Sequence, residues 1–198
     1  MLLSLSHKFL FVANLKSASS SIERALASHA EFKATQTRFG KHDPLSTISR
    51  KFAWVRKYVP FEEFFVFGVI REPVDYILSL YNFHHKEVFD GKVHSSKGLS
   101  FDEFWTEWCT RSWMARPQHL RFVDQHRRLE ISHLIDFARL DDEFPQICKR
   151  LGVRGELHKV NVSPQILSRD DLTPEQIARI VEQYADDYAL LKNRPQKL

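Results

Sequence analysis

The sequence predicts an α/β chain with three layers, helices on both sides of a mainly parallel central sheet. Two observations carry that expectation. Three apolar runs have strand length and composition, Phe9 to Val12, Phe64 to Ile70 and Ile131 to Phe137. Each is followed by a stretch with helical spacing, and strands that alternate with helices make parallel sheets. The bulk values agree, with 198 residues, 43% hydrophobic and 27% charged, enough for one domain over residues 1–198 with a proper core. No internal repeat or low-complexity linker divides it. A net charge of +4 suits an anionic ligand.

Taken in order, Met1-Leu2-Leu3-Ser4-Leu5 is too short for a signal peptide, and no apolar run approaches the ~18 residues of a membrane span. A soluble cytoplasmic protein is expected. The first strand breaks at Asn14-Leu15 into Lys16-Ser17-Ala18-Ser19-Ser20-Ser21, then resumes as a helix with Ile22 and Leu26 one turn apart. Strand, small-residue loop and helix together aim backbone N–H groups and a positive helix end at an anion. Lys16 adds a mobile charge and the serines add hydroxyl donors. The stretch reads as a phosphate-binding turn, with an ordinary serine N-cap as the plainer alternative. It contains no glycine, and G-x-x-x-x-G-K-[ST] is absent.

Glu31 to Val59 is polar and basic, centred on Gly40-Lys41-His42-Asp43-Pro44, with a short helix expected near Leu45 to Tyr58. Such connections carry substrate contacts or serve as solvated crossovers. The second strand ends in Arg71, Pro73 opens a helix, and Ser79 lies about two turns along it. Ile77, Tyr81 and Val88 extend its stripe to about Phe89. After an exposed loop, Ser100 and Glu103 form a capping box, and Phe101, Phe104, Trp105 and Trp108 make a core face. Pro117-Gln118 starts a short helix. A helix from about Asp141 to Leu151 stops at Gly152, and Val153 to Asp170 is irregular. Thr173-Pro174-Glu175-Gln176 caps a final helix marked by Ile177, Ile180, Val181, Tyr184 and Leu191.

Cys109 and Cys148 have no metal or redox spacing, and Cys148 shares a helical face with Phe144, Ile147 and Leu151. His84-His85 point about 100° apart on a helix, and no H-E-x-x-H or Cys/His spacing occurs, so no metal is expected. Basic residues such as Arg127-Arg128 are scattered among acids, which argues against a nucleic-acid partner. Both phosphate-type turns begin at strand carboxyl ends, where ligands of such sheets bind, so both can face one crevice.

Lys16-Ser17-Ala18-Ser19-Ser20-Ser21, paired with Arg71-x-Pro73 and Ser79-x-Tyr81, resembles the sulfotransferases that use 3′-phosphoadenosine 5′-phosphosulfate (PAPS), above all the carbohydrate and membrane-associated type and its bacterial relatives. Pro117-Gln118, Ile131 to Phe137 with Arg139-Leu140, and Val160-Asn161-Val162-Ser163 resemble later landmarks of that family. The resemblance implies a P-loop-NTPase-like fold and PAPS as co-substrate without a metal. It implies that Lys16, Ser17, Ala18, Ser19, Ser20 and Ser21 hold the 5′-phosphosulfate, that Arg71 and Ser79 hold the 3′-phosphate, and that Gln118 lies near the nucleotide. Tyr76 stands where the family often has arginine, and Lys16-Ser17 replaces the commoner Lys-Thr.

In-line sulfuryl transfer to an acceptor hydroxyl or amine gives Lys16 a catalytic role at the oxygen linking sulfur to phosphate. It also needs a base, for which His42 is the first candidate, with Asp43 or the pair His84 and His85 as alternatives. A sugar, a lipid head group, a peptide tyrosine and a small metabolite all suit a basic cleft, one that a partner could complete in so compact a chain. Two other classes stay open, a P-loop phosphotransferase and a non-catalytic nucleotide-binding module.

Overall fold

The computed structural model describes residues 1–158 and 163–198. In chain order its regular elements are β1 (Leu2–Ser4), β2 (Phe9–Val12), α1 (Ser19–Leu26), β3 (Phe32–Lys33), α2 (Leu45–Lys51), β4 (Phe65–Ile70), α3 (Pro73–His84), α4 (Phe101–Glu103), β5 (His133–Asp136), α5 (Leu140–Leu151), α6 (Pro174–Gln183) and α7 (Ala185–Lys192). The five strands form one sheet in the order β3-β1-β2-β4-β5. β2, β4 and β5 run parallel, with Phe9 opposite Phe65 and Phe67 opposite His133. β1 and β3 add an antiparallel edge, with Leu3 paired to Leu10 and to Phe32. Mixed α/β architecture with a parallel core is therefore observed, and the antiparallel edge is an addition to the sequence expectation.

Strand alternation divides the core between the two sheet faces. Phe9 and Phe11 of β2, with Phe65, Phe67 and Val69 of β4, pack against Ile22 and Leu26 of α1 and Phe144 and Ile147 of α5. Leu10, Val12, Val66 and Ile70 face the other way, onto Leu45 and Ile48 of α2 and onto Phe122. Gly68 makes that contact possible, because a Cβ there would meet the Phe122 ring at 2.5 Å. A third cluster joins α3 to the aromatic stripe Phe101, Phe104, Trp105 and Trp108, and to Ile180 and Tyr184. Cys148 is a buried core thiol, as its helical face predicts.

Several boundaries depart from the sequence expectation for local reasons. α3 ends at His84 rather than near Phe89, because the chain returns and Ser96 N–H donates to the His84 carbonyl at 3.1 Å while Ser96 Oγ takes that of Tyr81. Val88 is accordingly 62% exposed, not part of a stripe. The final helix is two helices broken at Tyr184, whose buried hydroxyl donates to the Ala115 carbonyl. Val181 is exposed there too. The Ser100–Glu103 and Thr173–Gln176 capping boxes both form, and Gly152 closes α5 with φ 65°. The aromatic stripe continues α4 as a π-helical turn over Phe104–Cys109.

Candidate active site

Three parallel strands deliver their carboxyl ends to one edge of the sheet, and the sequence-predicted residues follow them. β2 leads through Asn14 and Leu15 to Lys16, β4 leads directly to Arg71, and β5 leads to Phe137. The Arg71 guanidinium sits 4.6 Å from the Phe137 ring centroid and donates through Nη1 to the Lys16 carbonyl at 3.2 Å. The two phosphate-type turns are thus in direct contact.

Without glycine, the first turn is made by placing Lys16 (φ 52°) and Ala18 (φ 54°) in the left-handed region. That conformation costs a side-chain-bearing residue about 1–2 kcal/mol, and strain of this kind collects at functional sites. Ala18 then stands at the N-cap of α1 with no side chain to offer, and no acidic residue occupies the first turn. By contrast, Glu72, Ser100 and Thr173 cap α3, α4 and α6. The positive end of α1 therefore carries no side-chain cap. Among the described residues Ser17 Oγ is buried with no hydrogen-bond partner, and so is Arg71 Nε, two orphaned donors in adjoining turns. Ser19 and Ser21 are buried, while Ser20 receives Lys41 Nζ at 2.8 Å.

Lys16 Nζ lies 3.8 Å from the centroid of the Phe83 ring and donates to Ser163 Oγ at 3.3 Å. Lys86 approaches the same ring at 4.9 Å. Burial, then the like charges of Lys86 and Arg71, bring the Lys16 pKa from 10.5 down to about 7. Burial also lowers that of Arg71, against the pull of Asp75 and Glu72. Ser79 is half-buried on α3, one turn before Phe83 and therefore on the face that meets Lys16.

The candidate bases separate. His42 is held with Nδ1 3.0 Å from the Ala13 carbonyl at the end of β2, so Nδ1 carries the proton and Nε2 is the acceptor. Its neighbour Lys41 is pinned to Glu23 of α1 at 2.8 Å, which sets the loop against the first turn. Burial first, then Lys41 and Arg121, lowers the His42 pKa to about 4. Asp43 is spent elsewhere, accepting from Thr37 Oγ1 at 2.8 Å and Lys51 Nζ at 2.7 Å. His84 is buried against Trp108, Phe89 and Phe83, with Nδ1 on the Leu80 carbonyl one turn back. His85 lies tilted over Tyr81.

Gln118, expected near a nucleotide, is a buried connector between the two turns. Its buried amide accepts from Arg71 N–H at 3.1 Å and from Asn14 Nδ2 at 2.9 Å, and donates to the Arg71 carbonyl at 2.7 Å. Asn14 in turn donates to the Val69 carbonyl. One side chain therefore fixes both turns relative to each other. Asp187, fully buried in α7, holds the Gln118 and His119 N–H groups at 2.7 and 2.8 Å. Asn14 and Asp187 carried no motif, and only an alternation of buried polar residues with apolar runs could have marked them. Tyr76 fills the family's arginine position as a core residue, edge-on to Tyr184. Of the Val160-Asn161-Val162-Ser163 landmark, residues 160–162 lie outside the described residues, and Ser163 is the partner of Lys16. Among the described residues no group of three or more His, Cys, Asp or Glu converges as a metal site, and no helix is long and apolar enough to cross a membrane.

The structure is a mixed α/β domain whose parallel strand ends carry a strained, basic turn with no side-chain cap on α1. The model of the sulfotransferase family matches residues 1–192, so the chain belongs to the sulfotransferase family. Comparison with curated proteins and with solved structures gave no match.

Proposed function

We propose that the chain transfers a sulfuryl group from PAPS to an acceptor hydroxyl by in-line displacement, on a P-loop-like framework. The observation that carries this reading is the joined pair of turns, with Lys16 and Arg71 in contact beside the uncapped start of α1. Lys16 with Ser17, Ala18, Ser19, Ser20 and Ser21 binds the 5′-phosphosulfate. Arg71 and Ser79 bind the 3′-phosphate, for which the orphaned Arg71 Nε is a ready donor. His42 Nε2 accepts the acceptor's proton, and Lys16 stabilises charge on the leaving oxygen. The aromatic pair Phe39 and Trp113, joined to the His42 carbonyl through Arg121, suits a carbohydrate among other hydroxyl compounds.

The test runs in two stages. Thermal stabilisation by the product 3′-phosphoadenosine 5′-phosphate comes first, then transfer of labelled sulfuryl to a panel of sugars, lipid head groups, tyrosine peptides and small alcohols. Stabilisation together with labelled product supports the reading. Stabilisation without transfer to any acceptor favours a binding module, and magnesium-dependent ATP turnover favours a phosphotransferase.

A further inference from the structure

Arg121 is buried at 6% exposure, and its hydrogen bonds go to backbone carbonyls. Nη1 donates to the His42 carbonyl at 2.7 Å, and Nη2 reaches the Trp113 carbonyl at 3.5 Å. The guanidinium lies 4.8 Å from the Trp113 ring centroid and 6.0 Å from that of Phe39, two rings that meet edge-to-face at 5.2 Å. Removing a guanidinium from water is costly and is ordinarily offset by a carboxylate. Among the described residues Arg121 forms no ion pair, and the Asp43 carboxylate, whose charge favours the guanidinium, is itself paired with Lys51. Its charge and planar fork are committed to holding main chain, and the main chain at the shorter contact is that of His42.

We propose that Arg121 is the positioning residue of the base, fixing the His42 backbone while the Ala13 carbonyl fixes its ring. This rests on the reading of His42 as base. Two anchors from different elements act on one residue. The end of β2 takes Nδ1, which sets the tautomer and leaves Nε2 for the acceptor hydroxyl. Arg121, from the turn Gln118–Arg121, takes the carbonyl and stops the Gly40–Pro44 loop from swinging away from the first phosphate-type turn. That turn is itself locked, since Gln118 at its start clamps Arg71 and Asn14, and Phe122 just after it lies on Gly68 of the sheet. The base is thereby held to the same rigid unit as the sulfuryl site, which is what a near-attack geometry requires. The charged groups facing His42 are Lys41 beside it, Arg121 from this turn and Glu23 from α1.

The test compares wild type, Arg121→Gln and Arg121→Lys by NMR of protein labelled with ¹⁵N-histidine, alongside the pH dependence of transfer. Wild-type His42 is expected to show the Nδ1–H tautomer and a titration midpoint lowered to about 4. Arg121→Gln is expected to lose the single tautomer and raise the midpoint toward 6.5, because a facing positive charge is gone and the loop opens. Turnover should fall about 10²-fold with the KM for PAPS held, since misplacement by about 1 Å costs that much. Arg121→Lys keeps the charge but not the fork, and should fall between the two. If Arg121→Gln does not fold, Trp113→Leu, which removes the ring under the guanidinium, takes the same readouts beside Arg121→Lys. A folded Arg121→Gln with unchanged tautomer, midpoint and pH profile overturns the proposal. Full transfer activity in His42→Ala would refute the base reading itself, whereas the NMR comparison decides the tether independently of catalysis.

Discussion

If Lys16 holds an anion as proposed, binding should take up a proton when the solution is above neutral pH. In the free protein, burial and the charges of Lys86 and Arg71 hold the Lys16 pKa at about 7. At pH 8 that leaves about a tenth of the molecules with a charged Lys16. A bound phosphate restores the ordinary lysine range, because an opposite charge within a few ångströms favours the ammonium. The expected uptake is then about 0.9 proton per bound nucleotide at pH 8 and about 0.1 at pH 6. The same linkage weakens binding by up to about tenfold for each pH unit above 7. At pH 8 phosphate monoesters are already dianions, their second pKa being about 6, so the linked proton belongs to the protein. Calorimetric titration of 3′-phosphoadenosine 5′-phosphate at pH 8, in two buffers of different ionisation enthalpy, measures the uptake directly. Lys16→Met should abolish it. Equal heats in the two buffers with the wild-type protein, or an unchanged uptake in Lys16→Met, would refute the reasoning.

Three further outcomes follow from the same geometry. Lys16→Ala should lower turnover by about 10²–10³ while leaving nucleotide affinity within about tenfold at neutral pH, read by steady-state kinetics beside calorimetry, and near-wild-type turnover removes its catalytic role. Gln118→Leu strands the Arg71 N–H and the Arg71 carbonyl at about 1–3 kcal/mol each and takes one of the two hydrogen bonds of Asn14 Nδ2, so urea unfolding should show several kcal/mol of lost stability together with weaker nucleotide binding. His42 and His84 both have pKa values lowered to about 4 from 6.5, chiefly by burial. The unfolded chain therefore takes up these protons first, and the stability they contribute is full above about pH 6.5 and lost as pH falls toward 4, at about 1.4 kcal/mol per unit for each histidine. His42→Asn should flatten that loss between pH 6 and 4 in urea titrations, and an equally steep loss contradicts it.

What the sequence made legible was what carries a local pattern. The apolar runs at Phe9, Phe65 and His133 are long enough to show as strands, and they place Lys16 and Arg71 by themselves. β1 and β3 have three and two residues, too short for any periodicity; β1 exists as the local antiparallel partner of β2, and β3 because Phe32 and Lys33 return to pair with Leu3 and Leu2. Capping boxes were readable because both partners lie within four residues. Asn14, Gln118, Arg121 and Asp187 were not readable in their roles, since each acts across 45 or more positions, and the meaning of a buried amide lies in its partners. The turn at Lys16 ran against the expectation that glycine supplies a left-handed backbone; here Lys16 and Ala18 supply it, held by tertiary contacts such as that of Arg71 on the Lys16 carbonyl.

The most direct measurement of the central claim is the preference for a 3′-phosphate. Wild-type protein and Arg71→Ala are titrated with 3′-phosphoadenosine 5′-phosphate and with adenosine 5′-monophosphate at one pH and ionic strength. Wild type is expected to bind the bisphosphate far more tightly, and Arg71→Ala to lose most of that preference while still binding the monophosphate through the Lys16 turn. Equal affinities in the wild type, or full discrimination retained by Arg71→Ala, would contradict that claim.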